Sequence, residues 1–582
     1  MRLQEICPGV SRLLSIVALA LLCALAFAAR CHTVRDVLVE GRIYFADADC
    51  YSRMTRARMA AEEGHLFIRT HRFENWPAGT RPHTTAPLDW LIVATKTVLD
   101  GAFTLTGATS VLRNQTLDLA GALIAPILGL LTCAWLGWWA RLMQRNANAP
   151  PAFAWPAGTW LAVPFFFAIS PILVHGTLLG RPDHQALLLL LLSVALGAEL
   201  ILARSLSRRW AIVAGVAWAC ALWVSLYEPL VLFGVVSAVW GGTNRRRFAA
   251  VETRPGWIIF VLILAVAFAC EGWRISWPDE TLRHAFGRWK QTVGELAPLD
   301  PRGPLLYRWL GAGVVITPVL LGLTARRDRL SLAVATVLIA LFALTLWQLR
   351  WGYFLALGFA MSLPWQLAAW RRAWIAWPVF VLALWPMAQD WDEKLFPEDH
   401  PELGSEKRHG VHRLEGIHLR GIAESMRSPE PRPFIAPWWL SPSLAYWSRQ
   451  PGIAGSSHQS LPGISRTARF FLAAGPDDAE RLAREFGAKW IVTDDPDRLV
   501  ETSRQLLGES GSFTPYVSHL HEHGTPRERV NEEDLRAASP QARQRLIEMA
   551  DRAEADELGS SAFSCVVKNQ FYKLFAVKEG SR

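Results

Sequence analysis

At 582 residues the chain is long enough for three or four soluble domains. However, 51% hydrophobic residues, 28 Trp and a mean hydropathy of +0.18 alongside 19% charged residues argue for a strongly apolar half joined to a polar one. The net charge of +9 lies largely in short arginine clusters between apolar runs, which is a membrane-topology pattern, so membrane lipids and not nucleic acid are the expected surroundings.

The first apolar run, 13–29, follows Arg2 and Arg12 and ends in Phe-Ala-Ala-Arg, a poor cleavage site, so a retained first helix is expected. Further runs of about 20 residues, the length that crosses the hydrocarbon core, lie near 119–140, 157–174, 186–203, 257–273, 309–325, 331–347, 352–370 and 373–389. The stretch 210–241 is too long for one span, and Glu228-Pro229 near its middle suggests a hairpin of two short helices. Arg141, Arg145, Arg204, Arg208, Arg209, Arg245, Arg246, Arg247, Arg254, Arg326, Arg327, Arg329, Arg371 and Arg372 then all fall on one side, provided the hairpin is kept. With the N-terminus inside, that side is the cytoplasm, as the positive-inside rule requires. The expectation is a polytopic α-helical protein of the cytoplasmic membrane with about 11 spans.

Segments 30–118, 274–306 and everything beyond about 391 then face outward. The 86–104 stretch is apolar but carries Asp89, Lys96 and Asp100, so it reads as an interfacial or re-entrant helix. Residues 1–390 are expected to form the membrane domain. Residues 391–582 are expected to form a soluble α/β extracytoplasmic domain, with 391–410 as a polar linker. In that tail 433–437 and 490–494 read as short buried strands, 477–487 as a helix with a glycine stop, 536–555 as a charged helix, and 564–577 as a final strand or hairpin. Eight cysteines show no metal-finger spacing; Cys31 and Cys50, both outward, either pair or stay free thiols.

Four elements on the outward face carry chemistry. Asp47-Ala48-Asp49 follows the first span; two carboxylates there either hold a divalent cation, act as base on a hydroxyl, or end a solvated loop. Gly180-Arg181-Pro182-Asp183-His184-Gln185 sits at a span mouth, where charge is costly without water, a partner or a substrate. Thr292-Val293-Gly294-Glu295 lies in the 274–306 loop. Arg350, in Trp347-Gln348-Leu349-Arg350-Trp351-Gly352-Tyr353, either grips a phosphate or snorkels to headgroups.

This ordered set resembles the catalytic subunit of oligosaccharyltransferases and the wider GT-C superfamily of lipid-dependent glycosyltransferases. Asp47 and Arg53 keep the family's six-residue spacing, and Trp76-Pro77-Ala78-Gly79 is similar to its aromatic-Pro-x-Gly step. Asp183-His184-Gln185 resembles its second acidic motif, Thr292–Glu295 its loop motif, and Trp438-Trp439 the opening of its Trp-Trp-Asp-Tyr-Gly motif. Gln185 departs from the acidic pattern, and the Asp, Tyr and Gly after Trp439 are missing, which argues against an Asn-x-Ser/Thr peptide acceptor. The resemblance implies an inverting transfer of a sugar or oligosaccharide from a polyprenyl-phosphate or pyrophosphate donor. It makes Asp47, Asp49, Asp183 and Glu295 catalytic, with Mg²⁺ or Mn²⁺ on Asp47, Asp49, Asp183 and His184. Arg350 and Tyr353 would meet the donor phosphate, and Trp438 and Trp439 the acceptor. A noncatalytic assembly protein or a transporter-like protein of cell-envelope glycan biogenesis is the alternative.

Overall fold

The structure, a computed structural model, describes residues 8–82, 84–107, 111–145, 158–243, 246–272, 280–509, 514–522 and 562–578. Among these, Leu13–Arg30, Leu112–Gln144, His184–Arg204, Val251–Glu271 and Arg329–Trp347 are helices long and apolar enough to cross a membrane. The stretch 210–241 is the expected pair of helices, Arg208–Val224 and Tyr227–Thr243, but the turn falls at Ser225-Leu226 and Glu228-Pro229 opens the second helix. Proline is at home there, because its missing N–H is one of the donors that a first turn leaves unpaired anyway.

Three expected single spans are interrupted. The 157–174 run becomes Thr159–Leu161, Ala162–Ile169 and Pro171–His175, with a break at Ser170, whose hydroxyl donates to Trp309 O at 2.8 Å. The 309–325 run starts at Leu305–Leu310 and resumes as Thr317–Ala325; Gly311 between them is at φ +74, where a Cβ would strike the Ala383 carbonyl. The 373–389 run divides into Ala373–Ala383 and Trp385–Leu395. Proline at the second helix of each pair fits a chain that stops and restarts.

Packing between apolar helices relies on small residues. A Cβ on Gly215 would run into the Gly256 carbonyl, and one on Gly256 into that of Ala211, so Arg208–Val224 and Arg254–Glu271 lie backbone to backbone. Arg30 is fully buried but satisfied by Thr177 Oγ1 at 2.7 Å, Ala26 O at 2.8 Å and Phe167 O at 3.2 Å. At the opposite end of the bundle Arg204 donates to Met143 O at 3.0 Å and Asp328 Oδ2 at 3.2 Å, drawing three arginine-bearing helix ends to one face.

The tail holds a four-stranded sheet in the order β3-β4-β6-β5, formed by Phe434–Ile435, Trp490–Thr493, Lys573–Val577 and Phe563–Lys568; a two-residue hairpin, β1 (Leu38–Val39) and β2 (Arg42–Ile43), precedes it in the chain. The β3–β4 pair is parallel and the others antiparallel, so 433–437, 490–494 and 564–577 are strands as expected. Pro476–Glu485 is the expected helix, stopped at Gly487 with φ +68. The charged helix expected at 536–555 lies outside the described residues. The 391–410 segment is more helical than a linker: Trp385–Leu395 and Ser405–Ser425 enter it from both sides, and Pro397, Pro401 and Gly404 confine the break.

The tail does not stand apart from the 30–118 segment. Arg58 donates to Tyr446 O, Arg449 pairs with Glu62 at 2.8 Å, and Tyr51 packs edge-on against Trp447 with centroids 4.7 Å apart. Within 30–118, Ala86–Thr106 is helical throughout. Asp89 in its first turn is buried against Arg53 at 2.9 Å, which removes the uncompensated charge the sequence displays.

Candidate active site

The site begins where the Ala48–Glu63 helix begins. Asp47 is extended, and its Oδ1 accepts from Cys50 N at 2.9 Å, an N-cap that leaves Oδ2 for Arg181. Asp49 follows in the first turn, and its Oδ1 accepts from Ser456 Oγ of the tail at 2.6 Å. Ala46 N donates to Gly180 O at 2.9 Å, and Gly180 itself sits at φ +75, where a Cβ would strike Val37 and crowd Tyr44 O. Glycine is therefore what lets the 180–183 turn lie against the Asp47 segment. Asp183 then caps His184–Arg204, with Oδ1 accepting from His184 N and His184 Nδ1, each at 2.6 Å.

Arg181 occupies the middle of this group. Its Nη1 lies 3.4 Å from Asp47 Oδ2, and its Nη2 lies 3.0 Å from Glu295 Oε1 and 3.8 Å from Asp183 Oδ2. Nη1 also meets His175 Nε2 at 3.0 Å. A guanidinium only donates, so His175 Nε2 is the acceptor and Nδ1 carries the proton. Nδ1 then donates to Tyr353 Oη at 2.9 Å, and Tyr353 in turn donates to Glu295 Oε1 at 3.5 Å. The Arg181 side chain is 7% exposed, against 37% for Asp47 and 38% for Glu295, so the two carboxylates face solvent while the guanidinium supports them from behind.

Crowding by the surrounding protein, reinforced by the charges of Asp47 and Asp183, raises the Asp49 carboxyl above its ordinary range although the residue stays open to solvent, with the Ser456 hydrogen bond acting against them. Behind Asp49 a small polar cavity is lined by Arg53, Arg56, His71, Glu74, Asp183 and Ser456 among others. Glu74 is fixed there by Ser52 Oγ at 2.6 Å and Ser460 Oγ at 3.2 Å.

The remaining expected residues divide into two groups. Glu295 and Tyr353 join Asp47 and Asp183 through Arg181 and His175. Arg350 is ion-paired with buried Glu228, which also accepts from Ser225 Oγ at 2.8 Å, and lies within electrostatic reach of Glu295 and Asp183. Trp438 packs edge-on against Trp289, which precedes the Glu295 turn, with centroids 6.1 Å apart. Trp439 belongs to the tail core: its Nε1 donates to Asp494 Oδ2 at 3.1 Å and Arg498 lies 4.5 Å over its ring. Gln185 is buried, and its Oε1 has no hydrogen-bond partner among the described residues. Cys31 and Cys50 are both free thiols. His175, Glu228, Glu74 and Ser456 escaped the sequence reading. A charged residue beside proline in an apolar run was the one available signal, for Glu228.

Among the described residues no three His, Cys, Asp or Glu side chains are grouped so as to hold a metal ion. Asp183 and His184 are engaged with each other, and Arg181 lies where a shared cation of Asp47 and Asp183 would lie.

No family model matches the chain, and no curated protein matches it by sequence. Solved structures do. The oligosaccharyltransferase of Archaeoglobus fulgidus, tethered to an acceptor peptide containing the NVT sequon, aligns at TM-score 0.58 and 15% identity over 82% of this chain and 69% of its own. The chain has a GT-C, oligosaccharyltransferase-like fold. ArnT from Cupriavidus metallidurans, bound to undecaprenyl phosphate, aligns at TM-score 0.55 and 14% identity over 97% of this chain and 98% of its own. The Archaeoglobus enzyme in complex with Zn and sulfate aligns at TM-score 0.55 and 15% identity, over 82% and 68%. Fold and apolar helices together make this a multi-pass membrane protein.

Proposed function

We propose that this protein is a membrane glycosyltransferase that moves a sugar from a polyprenyl-phosphate-linked donor to an acceptor on the outer face of the cytoplasmic membrane. The observation that carries the reading is the convergence of Asp47, Asp183 and Glu295 on Arg181, from three separate segments, at the helix ends opposite the Arg204 cluster. Its GT-C-fold neighbours include one bound to undecaprenyl phosphate and one bound to an acceptor peptide, which supports a lipid-linked donor.

In this reading Asp47, capped at one oxygen, held near Arg181 at the other and 37% exposed, takes the proton of the acceptor hydroxyl. Glu295, steadied by Arg181 and Tyr353, positions that acceptor. Arg350, held by Glu228, offers its remaining donors to the leaving phosphate. Direct displacement at the anomeric carbon then inverts its configuration. Asp49 and Asp183 shape the field around Asp47. The set Asp47, Asp49, Asp183 and His184 does not fit Mg²⁺ or Mn²⁺ as arranged, because Asp183 and His184 are engaged with each other and Arg181 stands between Asp47 and Asp183.

The test is to incubate purified protein with polyprenyl-phosphate- and polyprenyl-pyrophosphate-linked sugars labelled in the sugar. Label moving to a protein, glycan or lipid acceptor, with release of the polyprenyl phosphate, is the expected result. Tight binding of the polyprenyl lipid with no transfer from any donor would support a noncatalytic assembly protein instead.

A further inference from the structure

We infer that the Arg181 guanidinium is the resident cation of this site, standing where the carboxylates would otherwise gather a divalent metal, and that transfer therefore proceeds without one. Arg181, 7% exposed, acts through the carboxylates it touches, so it is a positioning residue. The inference rests on the reading of this cluster as the transfer centre, although its binding test does not.

Geometry is the first argument. A Mg²⁺ ion needs near-octahedral oxygen ligands at about 2.0–2.1 Å with lone pairs aimed at one point. Here the acceptors gather on one guanidinium instead: Nη2 donates to Glu295 Oε1 and Nη1 to His175 Nε2, each at 3.0 Å, while Asp47 Oδ2 and Asp183 Oδ2 stand 3.4 and 3.8 Å from the same two nitrogens. Asp183 Oδ1 is already taken by two donors of His184. A metal entering this space would have to expel a guanidinium whose side chain is 7% exposed and whose backbone is held tightly. Gly180 fits only without a Cβ, Arg181 N donates to Leu178 O at 3.2 Å, and Pro182 follows.

Charge is the second argument. Three carboxylates at a low-dielectric mouth repel one another unless a cation or proton stands between them. Arginine supplies that charge at every working pH, because it does not deprotonate in proteins. It also supplies direction, since its fork orients Glu295 and, through His175, the Tyr353 hydroxyl. Lysine would keep the charge but not the fork.

The experiment uses the full chain in nanodiscs and reads Mn²⁺ by electron paramagnetic resonance, with transfer assayed in parallel. The wild type is expected to bind no Mn²⁺ beyond that bound by Asp47→Asn, and its transfer is expected to be unchanged after exhaustive chelation. Arg181→Ala, which frees the carboxylates, is expected to gain one Mn²⁺ that Asp47→Asn removes again. Its transfer should fall roughly a hundredfold and recover in part with Mn²⁺, whereas Arg181→Lys should retain an intermediate rate and gain no Mn²⁺. One Mn²⁺ bound by the wild type and lost on Asp47→Asn would overturn the inference, as would chelation that abolishes transfer reversibly. If Arg181→Ala fails to fold, the wild-type and Asp47→Asn arms decide alone. A protein that transfers no sugar still gives the binding result, so failure of the functional reading is seen separately.

Discussion

Ser456 Oγ donates to Asp49 Oδ1 across 2.6 Å, joining a residue of the tail to the first turn of the helix that Asp47 caps. The two residues are 407 positions apart, so the candidate site forms only when the tail docks on the 30–118 segment. Partial desolvation and the neighbouring charges of Asp47 and Asp183 raise the Asp49 carboxyl, and the Ser456 donor favours its charged form. Ser456→Ala removes that donor, so Asp49 should ionise at a higher pH still. Infrared spectroscopy, referenced to Asp49→Asn, should show the protonated carboxyl band persisting further into the alkaline range. An unmoved midpoint would remove Ser456 from the electrostatics of the site.

Asp47→Asn should abolish transfer while leaving the protein folded. Asparagine still accepts from Cys50 N and remains a good N-cap, but it takes no proton from an acceptor. The expected loss is roughly 10²–10⁴-fold in rate with an unchanged thermal midpoint. Asp47→Ala should lose the same activity and, in addition, about 1 kcal/mol of cap stability. Full turnover by the asparagine variant would return Asp47 to the status of a loop residue.

What was legible in the sequence had a local cause. The tail strands announce themselves as short apolar runs between polar ones, and Gly487 marks its helix end because the left-handed turn there suits glycine. The 210–241 hairpin was readable because arginine placement allows two crossings and not one. Asp47 and Asp183 were readable as acids at helix mouths. The centre of the site was not, because Arg181 finds Glu295 at 114 positions and Tyr353 finds His175 at 178, and no local pattern records such a pairing. Breaks at Ser170 and Gly311 were hidden for a similar reason: hydropathy averages over a run and does not feel the Trp309 or Ala383 carbonyl beside it.

The tail should lie outside the cytoplasm. Arg204, near Met143 O and Asp328, marks one face of the helices, and the Asp47–Arg181 cluster marks the other. The positive-inside rule assigns the arginine face to the cytoplasm. An alkaline phosphatase fused after residue 582 should be active, and a cytoplasmic reporter there silent. The reverse pattern would overturn the orientation and the outward site together.

Glu228 and Arg350 form an ion pair whose side chains are 3% and 21% exposed. Removing one member strands the other in a poorly solvated place, so Glu228→Ala should destabilise the protein by roughly 3 kcal/mol or more. The Glu228→Ala/Arg350→Ala double variant should recover much of that loss, because it leaves no unpaired charge. Transfer should not recover, since Arg350 is assigned to the donor phosphate. Additive losses in a double-mutant cycle would show that the pair is not coupled.

Asp494 gives the clearest expectation for pH. It follows β4 directly, its Oδ2 accepts from Trp439 Nε1 at 3.1 Å, and its Oδ1 has no hydrogen-bond partner among the described residues. Burial raises its carboxyl to about 7, although the Trp439 hydrogen bond and Arg498 favour the charged form. Between about 4 and 7 the folded chain holds a proton on Asp494 that the unfolded chain has released, so stability from this group is greatest near pH 4 and falls as pH rises to 7. Asn at this position still accepts from Trp439 but carries no proton to lose. Thermal unfolding of full-length wild type and Asp494→Asn, followed by tryptophan fluorescence, should therefore diverge as pH rises from 4 to 7. The variant should gain on the wild type by an amount on the order of a few kcal/mol across that window, and the difference should be flat above it. A constant difference from pH 4 to 8 would mean that Asp494 is already ionised at low pH in the folded tail, and that water or Arg498 reaches Oδ1.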